Sequence, residues 1–387
     1  MTDIKNAEDT LNIDQLPFNK NTRKLASVCT VDTVSPIENA DLLEVVTLKG
    51  KCWKIVNRKG DLKAGDSVVY FEIDSFLPVG NPNFEFLRER TYKKFIHNNE
   101  IIGEGFRIKT IKLRGVVSQG LVMPLSSFEF VLPDADTKEN IEAYLEGCDL
   151  GVKNYDTIKE EMDMLQGKMC CGNHAGSFPS FIPKTDEERI QNLSFMFTDP
   201  EYKEMEFEET DKDDGSSETV FFAPMTRPDN PFGVCSRRFE LKLDDEKSDF
   251  VKVALALELD KKLPIYGREI AIQAELVGPG MNGNKDKYTE KDLHVYKIWD
   301  ILNQKFLTPE ERYQICKDLG LKHVKVKAVN KKVFAELDTM DKMLAYVDDK
   351  TEKGNILEGR VWKSMDGKLS FKCINNRYLL KQAEEKE

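Results

Sequence analysis

Lys212-Asp213-Asp214-Gly215 places an amine two residues before an acid and three before a glycine. A lysine whose surroundings lower its pKa is a nucleophile for phosphorus, and a glycine, having no Cβ, lets backbone and phosphate approach closely. Such an amine can take a nucleotide's α-phosphate as a phosphoramidate. A chain with 57 Lys plus Arg and 68 Asp plus Glu generates this tetrapeptide readily by chance, so its neighbours must decide what it means.

Downstream come, in order, a basic pair, an acid, an aromatic, a second acid and further lysines. The basic pair is Arg237-Arg238, inside Phe232 to Leu241. Glu275 ends the apolar run Ile270 to Val277 beside Gly278. Tyr296 and Trp299 lie in the alternating run His294 to Ile301. Glu358 precedes Gly359-Arg360-Val361-Trp362-Lys363, and Lys372 sits in Leu369 to Asn375. Lys184 is a rival nucleophile, but Lys184-Thr185-Asp186-Glu187 has glutamate where the glycine belongs, which hinders close phosphate approach.

The elements that must carry these residues read as two units. From Leu25 to Leu132, β-like runs punctuated by glycine (Leu42 to Leu48, Cys52 to Val56, Ser67 to Ile73, Phe106 to Leu113, Gly120 to Pro124) suggest a small barrel. Arg107, Lys109, Lys112 and Arg114 alternate on the fourth run and would form a basic strip able to meet phosphates. Residues 133–176, acidic and partly helical over Thr137 to Leu145, read as a connection. Beyond Phe178, strands alternate with helical patterns at Asp249 to Lys261 and Pro309 to Leu319, the latter with Thr308 as N-cap. The expected division is a polar tail at 1–24, a barrel domain at 25–132, the connection at 133–176 and a mixed α+β domain at 177–383.

Composition narrows the setting. A net charge of -11 argues against nonspecific coating of nucleic acid, although a basic groove can coexist with an acidic remainder. No run of about 18 apolar residues is present to span a bilayer. Met1 to Asn21 is polar and acidic, unlike a signal peptide, so an intracellular, cytoplasmic protein is expected. The eight cysteines follow no framework spacing and are expected to be free thiols. Cys170-Cys171 with His174 lacks a second ligand pair at zinc spacing.

Two resemblances build on these residues. Ser35-Pro36-Ile37-Glu38-Asn39-Ala40-Asp41-Leu42, Lys63-Ala64-Gly65-Asp66 and Arg114-Gly115-Val116-Val117-Ser118-Gln119-Gly120 resemble the OB-fold tRNA-binding domains attached to some synthetases and their cofactors. The motifs from Lys212 to Lys372 resemble, in order, motifs I, Ia, III, IIIa, IV and V of the covalent nucleotidyltransferase superfamily of polynucleotide ligases and capping enzymes. Within it the chain looks most like the Deinococcus-type RNA ligases, which place an OB-like domain ahead of the catalytic one, and Phe178 to Asn192 resembles their lead-in to motif I.

The resemblance implies an α+β chain with an N-terminal OB-like β-barrel followed by an antiparallel-sheet nucleotidyltransferase (ligase adenylation) domain. It implies an ATP-dependent RNA ligase that carries AMP on Lys212, passes it to an RNA 5′-phosphate and releases it when a 3′-hydroxyl attacks. Gly215 and Arg237 would adjoin the nucleotide's phosphate or sugar, Glu275 and Glu358 would serve ribose or Mg²⁺ (or Mn²⁺), and Tyr296 would stack on adenine. Lys372 and Lys363 would neutralise the α-phosphate and help keep Lys212 deprotonated. The implied partner is RNA with 3′-hydroxyl and 5′-phosphate ends, as in a nicked duplex. No protein partner is inferable, and a monomer is expected.

Two features depart from the ligase pattern. Asp211 and Asp213 flank the lysine and would raise its pKa, and Ile374 stands where motif V often has a second lysine, for which Lys381 or Lys368 would have to substitute. Two alternatives stay open: a capping or DNA-sealing enzyme, disfavoured because those carry their OB domain after the catalytic one, and an RNA-binding protein whose ligase site has decayed.

Overall fold

A computed structural model describes residues 25–128, 151–165 and 174–385. The expected polar tail, the Thr137 to Leu145 helix and the Cys170-Cys171 pair lie outside the described residues. Cys29, Cys52, Cys235, Cys316 and Cys373 are free thiols. Among the described residues, no helix is long and apolar enough to cross a membrane.

The N-terminal sheet has five antiparallel strands in the spatial order Leu121–Pro124, Ser67–Phe71, Ala26–Pro36, Leu43–Leu48 and Lys54–Arg58. Ala26–Pro36 serves two neighbours because its register shifts between Val31 and Val34, where a bulge bends the strand. The far edge curls back, since Gln119 N donates to Lys54 O at 3.0 Å and Val56 N to Ser118 Oγ at 2.9 Å. Val31, Val46, Trp53, Ile55, Val68 and Tyr70 fill the half-barrel. Gly120 is obligatory there, with φ of +104° and a would-be Cβ only 2.4 Å from the Tyr70 ring.

The run Phe106 to Leu113 is not one strand. Glu100–Arg107 ends where Ile108 gives its N–H to Ser75 and its carbonyl to Asp74, and Ile111–Leu113 starts a separate hairpin with Val116–Ser118. The basic strip is broken accordingly. Arg107 turns inward, buried 3.5 Å from Asp74 and stacked over the Tyr155 ring at 4.1 Å, while Lys112 and Arg114 are exposed on the hairpin and its turn.

The C-terminal half holds two sheets. The larger is ordered His174–Ser177, Phe239–Leu241, Phe232–Cys235, Ser216–Phe222, Ile270–Val277, Asp292–Asp300 and Lys305–Phe306, with Lys322–His323 joined in parallel to Asp292–Asp300. The smaller is ordered Glu188–Arg189, Ser370–Ile374, Gly359–Ser364, Phe207–Asp211 and Val326–Lys331. One face of the larger sheet (Val220, Ile272, Val295, Ile298) packs on Phe250, Val251, Leu263 and Ile315 from three helices. One face of the smaller (Phe207, Trp362, Phe371) packs on Phe334, Met343 and Val347. Each such side chain contributes about 1.5–3 kcal/mol on burial. The remaining faces turn toward each other, and Lys297 of the larger sheet donates to Ser370 Oγ of the smaller at 2.8 Å.

The expected helix at Asp249 to Lys261 is two, Asp249–Ala256 and Leu259–Tyr266, because Glu258 between them is left-handed at φ +57°. Pro309–Leu319 forms as expected, with Thr308 and Glu311 completing a capping box.

The two halves are bolted together at Asn192. Its side chain accepts from Trp53 Nε1 at 2.6 Å and donates to Glu72 at 2.9 Å and Glu188 at 2.8 Å, while Cys52 N donates to Gln191 O at 2.7 Å.

Candidate active site

Residues 212–215 link Phe207–Asp211 of the smaller sheet to Ser216–Phe222 of the larger, so Lys212 sits where the chain crosses between the facing sheets. Lys212 N donates to Gly359 O at 2.9 Å, which brings the amine beside the residue preceding that strand. Lys212 Nζ lies 2.9 Å from Glu358 Oε1. Gly215 is required for packing: a Cβ there would meet Leu276 O at 2.4 Å and Glu275 Cγ at 2.8 Å. Its N–H donates to Glu275 Oε1 at 3.1 Å. The glycine thus draws the crossing link against the strand that carries the second acid.

The three aspartates around the lysine are anchors. Asp211 pairs with Arg360, Asp213 accepts from His294 Nδ1 at 2.6 Å, and Asp214 pairs with Lys285 at 2.9 Å and accepts from Asn282 at 3.2 Å. Each ties the link to a different segment. The expected rise in the lysine's pKa is present, but its largest causes are other acids than Asp211 and Asp213. Although burial opposes the charge, Glu358 foremost, then Glu275 and Asp214, hold the Lys212 amine above its usual range.

The acids are perturbed in turn. Burial pushes Glu275 up to about 8, with Lys212 opposing and Glu358 and Asp213 reinforcing it, and burial likewise raises Glu358 against the pull of Lys212. Lys212 pairs, among the described residues, with Glu358 alone, and the raised pKa of Glu275 shows that a second full negative charge is costly beside that pair, a cost that a divalent cation would relieve. Carboxylate oxygens are hard donors suited to Mg²⁺ or Mn²⁺. Among the described residues no group of three or more His, Cys, Asp or Glu could hold a metal ion. A cation held by one or two carboxylates plus phosphate oxygens and water fits this donor set.

The cations line the cleft beyond. Lys372 Nζ lies 2.7 Å from Asp186 Oδ1, and Arg237, in the turn between Phe232–Cys235 and Phe239–Leu241, lies 3.3 Å from Asp186 Oδ2. Lys363 is buried, donating to Thr210 Oγ1 at 3.3 Å. Burial, then Arg312, holds it down to about 7 against the pull of Glu208 and Glu187. Tyr296 is anchored through its hydroxyl, 3.0 Å from both Thr185 Oγ1 and Ser217 Oγ. Lys184 is exposed near the Phe178 ring.

Ile374 is buried, Lys368 lies 3.7 Å from Asp366 at a turn, and Lys381 is exposed on the helix Asn376–Glu385. Lys109 borders a small cleft with Arg90, Lys93 and Arg107 of the N-terminal unit and Ala383 of the C-terminal helix.

Several residues of the cleft escape sequence reasoning. Lys297 pairs with Glu187 at 3.2 Å. It reaches that face because the register shifts between Gln273 and Ala274, which lie opposite Lys297 and Val295 and leave Tyr296 as the extra residue. Strict alternation hides this. His294 is a polar residue of an alternating run and Asp186 one of the polar run Lys184 to Arg189, and only their partners, far off in sequence, give them a role.

Comparison with known proteins comes from sequence and from structure. A sequence model described as an OB-fold domain matches residues 25–125, and one described as RNA ligase matches residues 205–381. No curated protein matches the chain. Among solved structures the chain is similar to a Naegleria gruberi RNA ligase in several forms. An apo point mutant matches at 32% identity and a TM-score of 0.76, covering 94% of this chain and 99% of that one. The enzyme with pyrophosphate matches at 31% and 0.76, covering 94% and 100%. A point mutant with ATP and Mn matches at 32% and 0.74, covering 94% and 99%.

Proposed function

The chain belongs to the RNA ligase family, and from that premise we propose that it seals RNA through an AMP carried on Lys212. It is an ATP-dependent RNA ligase that uses a divalent metal, with an OB-fold domain ahead of an antiparallel-sheet ligase domain. The observation that carries the proposal is Lys212 Nζ 2.9 Å from Glu358, on a link that Gly215 packs against Glu275.

In the first step Lys212 Nζ forms a bond to the α-phosphorus of ATP, the bond from that phosphorus to the bridging oxygen breaks, and pyrophosphate leaves. An RNA 5′-phosphate oxygen then takes the AMP and returns the Lys212 amine. Finally a 3′-hydroxyl attacks the 5′-phosphorus and AMP departs. Before it attacks, the amine must give up the proton that Glu358, Glu275 and Asp214 favour; Glu358, in contact at 2.9 Å, takes it, and Lys372 and Lys363 offset the negative charge that the acids and the nucleotide's phosphates place around the amine. When bound, Mg²⁺ or Mn²⁺ supplies neutralisation of phosphate charge beside Glu358 and Glu275. Arg237 holds phosphate or sugar, and Tyr296, fixed by Thr185 and Ser217, stacks on adenine. The reading extends to 3′-hydroxyl and 5′-phosphate ends in a nicked duplex, a monomer, a cytoplasmic setting and membership of the Deinococcus-type subfamily. It places the barrel domain at 25–132 and the catalytic domain at 177–383. On the OB-fold domain we assign RNA contact to Lys109, Lys112 and Arg114, with Arg90 and Lys93 beside Lys109, while Arg107 is buried against Asp74.

Sealing of a nicked duplex tests this. With ATP and Mg²⁺, a nick in RNA should be joined and an all-DNA nick should not. Equal joining of both would favour a DNA-sealing enzyme, and RNA binding with no joining would favour a decayed site.

A further inference from the structure

We propose that Asp186 is a latch on the polyphosphate site: its carboxylate occupies Lys372 and Arg237 and must yield them to the nucleotide's phosphates. The inference rests on the reading that these two cations hold phosphate.

The geometry separates two neighbouring acids. Glu187 is enclosed, paired with Lys297 at 3.2 Å, and although burial opposes it, Lys297, Lys372 and Lys363 hold its carboxyl below the usual range. It is a built-in counter-charge. Asp186 differs in exposure: its side chain is 50% exposed and that of Arg237 is 53%, while Lys372 is 15%. Its two oxygens reach across the mouth of the cleft, one to Lys372 on the smaller sheet at 2.7 Å and the other to Arg237 on the larger at 3.3 Å. A carboxylate bridging two cations on opposite walls mimics a phosphate in charge and in oxygen spacing.

The backbone beneath it is fixed. Pro183 O accepts from Gln273 at 2.7 Å, Thr185 meets Tyr296 at 3.0 Å, and residues 188–189 pair with Phe371 and Lys372. Only the Asp186 side chain has to turn away, and ion pairs made by a half-exposed carboxylate are worth about 0–1 kcal/mol each, so the latch is weak enough to open. A polyphosphate brings more charge and engages Arg bidentately, and so wins the cations. The cost appears as a lowered apparent affinity, as for any site that is occupied part of the time.

The test is binding of inorganic pyrophosphate, with adenosine as a phosphate-free control, to full-length wild type, Asp186→Asn, Asp186→Ala and Asp186→Glu. The latch predicts that the Asn and Ala variants bind pyrophosphate about three- to tenfold more tightly, consistent with the loss of up to two weak ion pairs. Adenosine binding should be unchanged and the Glu variant should stay near wild type. Unchanged or weaker pyrophosphate binding in the Asn and Ala variants overturns the proposal, weaker binding meaning that Asp186 orients the two cations. Should one variant fail to fold, the other carries the comparison. If the wild type takes AMP onto Lys212 but the variants show no gain, the latch fails alone. If the wild type neither takes AMP nor binds pyrophosphate, the ligase reading fails with it.

Discussion

At the scale of single residues, the chemistry turns on which neighbours a charged side chain meets. The motif lysine, its glycine and the two glutamates were legible from order and spacing, and Lys212, Gly215, Glu275 and Glu358 do meet at one point. Sequence could not assign partners to the aspartates, because adjacency along the chain says nothing of where side chains point. Asp213 is the clearest case, since it is spent on His294 at 2.6 Å, and Tyr288 stands edge-on to the same ring. His294→Ala should therefore loosen the link that carries Lys212. Loss of one charge-assisted bond, worth about 1.5 kcal/mol, predicts adenylylation of Lys212 slower by about tenfold, with His294→Gln, which keeps a donor, in between. Single-turnover labelling measures it, and a His294→Ala rate equal to wild type would remove His294 from the positioning role.

At the scale of elements, the strands were the legible part and their register was not. The apolar runs at 270–277, 292–300, 359–364 and 370–374 form strands close to where alternation placed them. The shift that turns both Tyr296 and Lys297 toward the cleft, and the left-handed Glu258 that splits a helix, are local backbone events without a periodic signature. Ser216–Phe222 holds a different surprise. Glu218, fully buried on the strand that follows the motif, has no hydrogen-bond partner for either oxygen among the described residues, and burial raises its carboxyl well above its ordinary value. A folded-state pKa above the unfolded one means that this group's contribution is fully present below the unfolded value near 4.5 and is lost as pH rises above it. Glu218→Met should thus stabilise the protein at neutral pH by about 1–3 kcal/mol, the cost of an unpaired buried polar group, and the gain should shrink toward pH 4. Denaturant melts at several pH values measure it, and a gain that does not vary with pH would mean that Glu218 stays ionised in the fold.

At the scale of the whole molecule, the order of the two units was legible and their junction was not. Glycine-punctuated runs announced a barrel ahead of the mixed domain, but nothing in the chain marked Asn192 as the bolt between them or Arg107 as a core residue. A junction is made of polar side chains whose partners come from the other unit, and such residues look like surface in a single sequence. The consequence is that the segment holding Asp186 and Glu187 is braced by the OB-fold domain at one end and by the catalytic cleft at the other. All of this converges on one amine at the crossing between two sheets. The direct test is to incubate the full-length protein with ATP and Mg²⁺, digest it and locate the AMP by mass spectrometry. The account predicts a single adenylylated lysine, Lys212, with none in Lys212→Ala. AMP on Lys184, or adenylylation that survives Lys212→Ala, would contradict it.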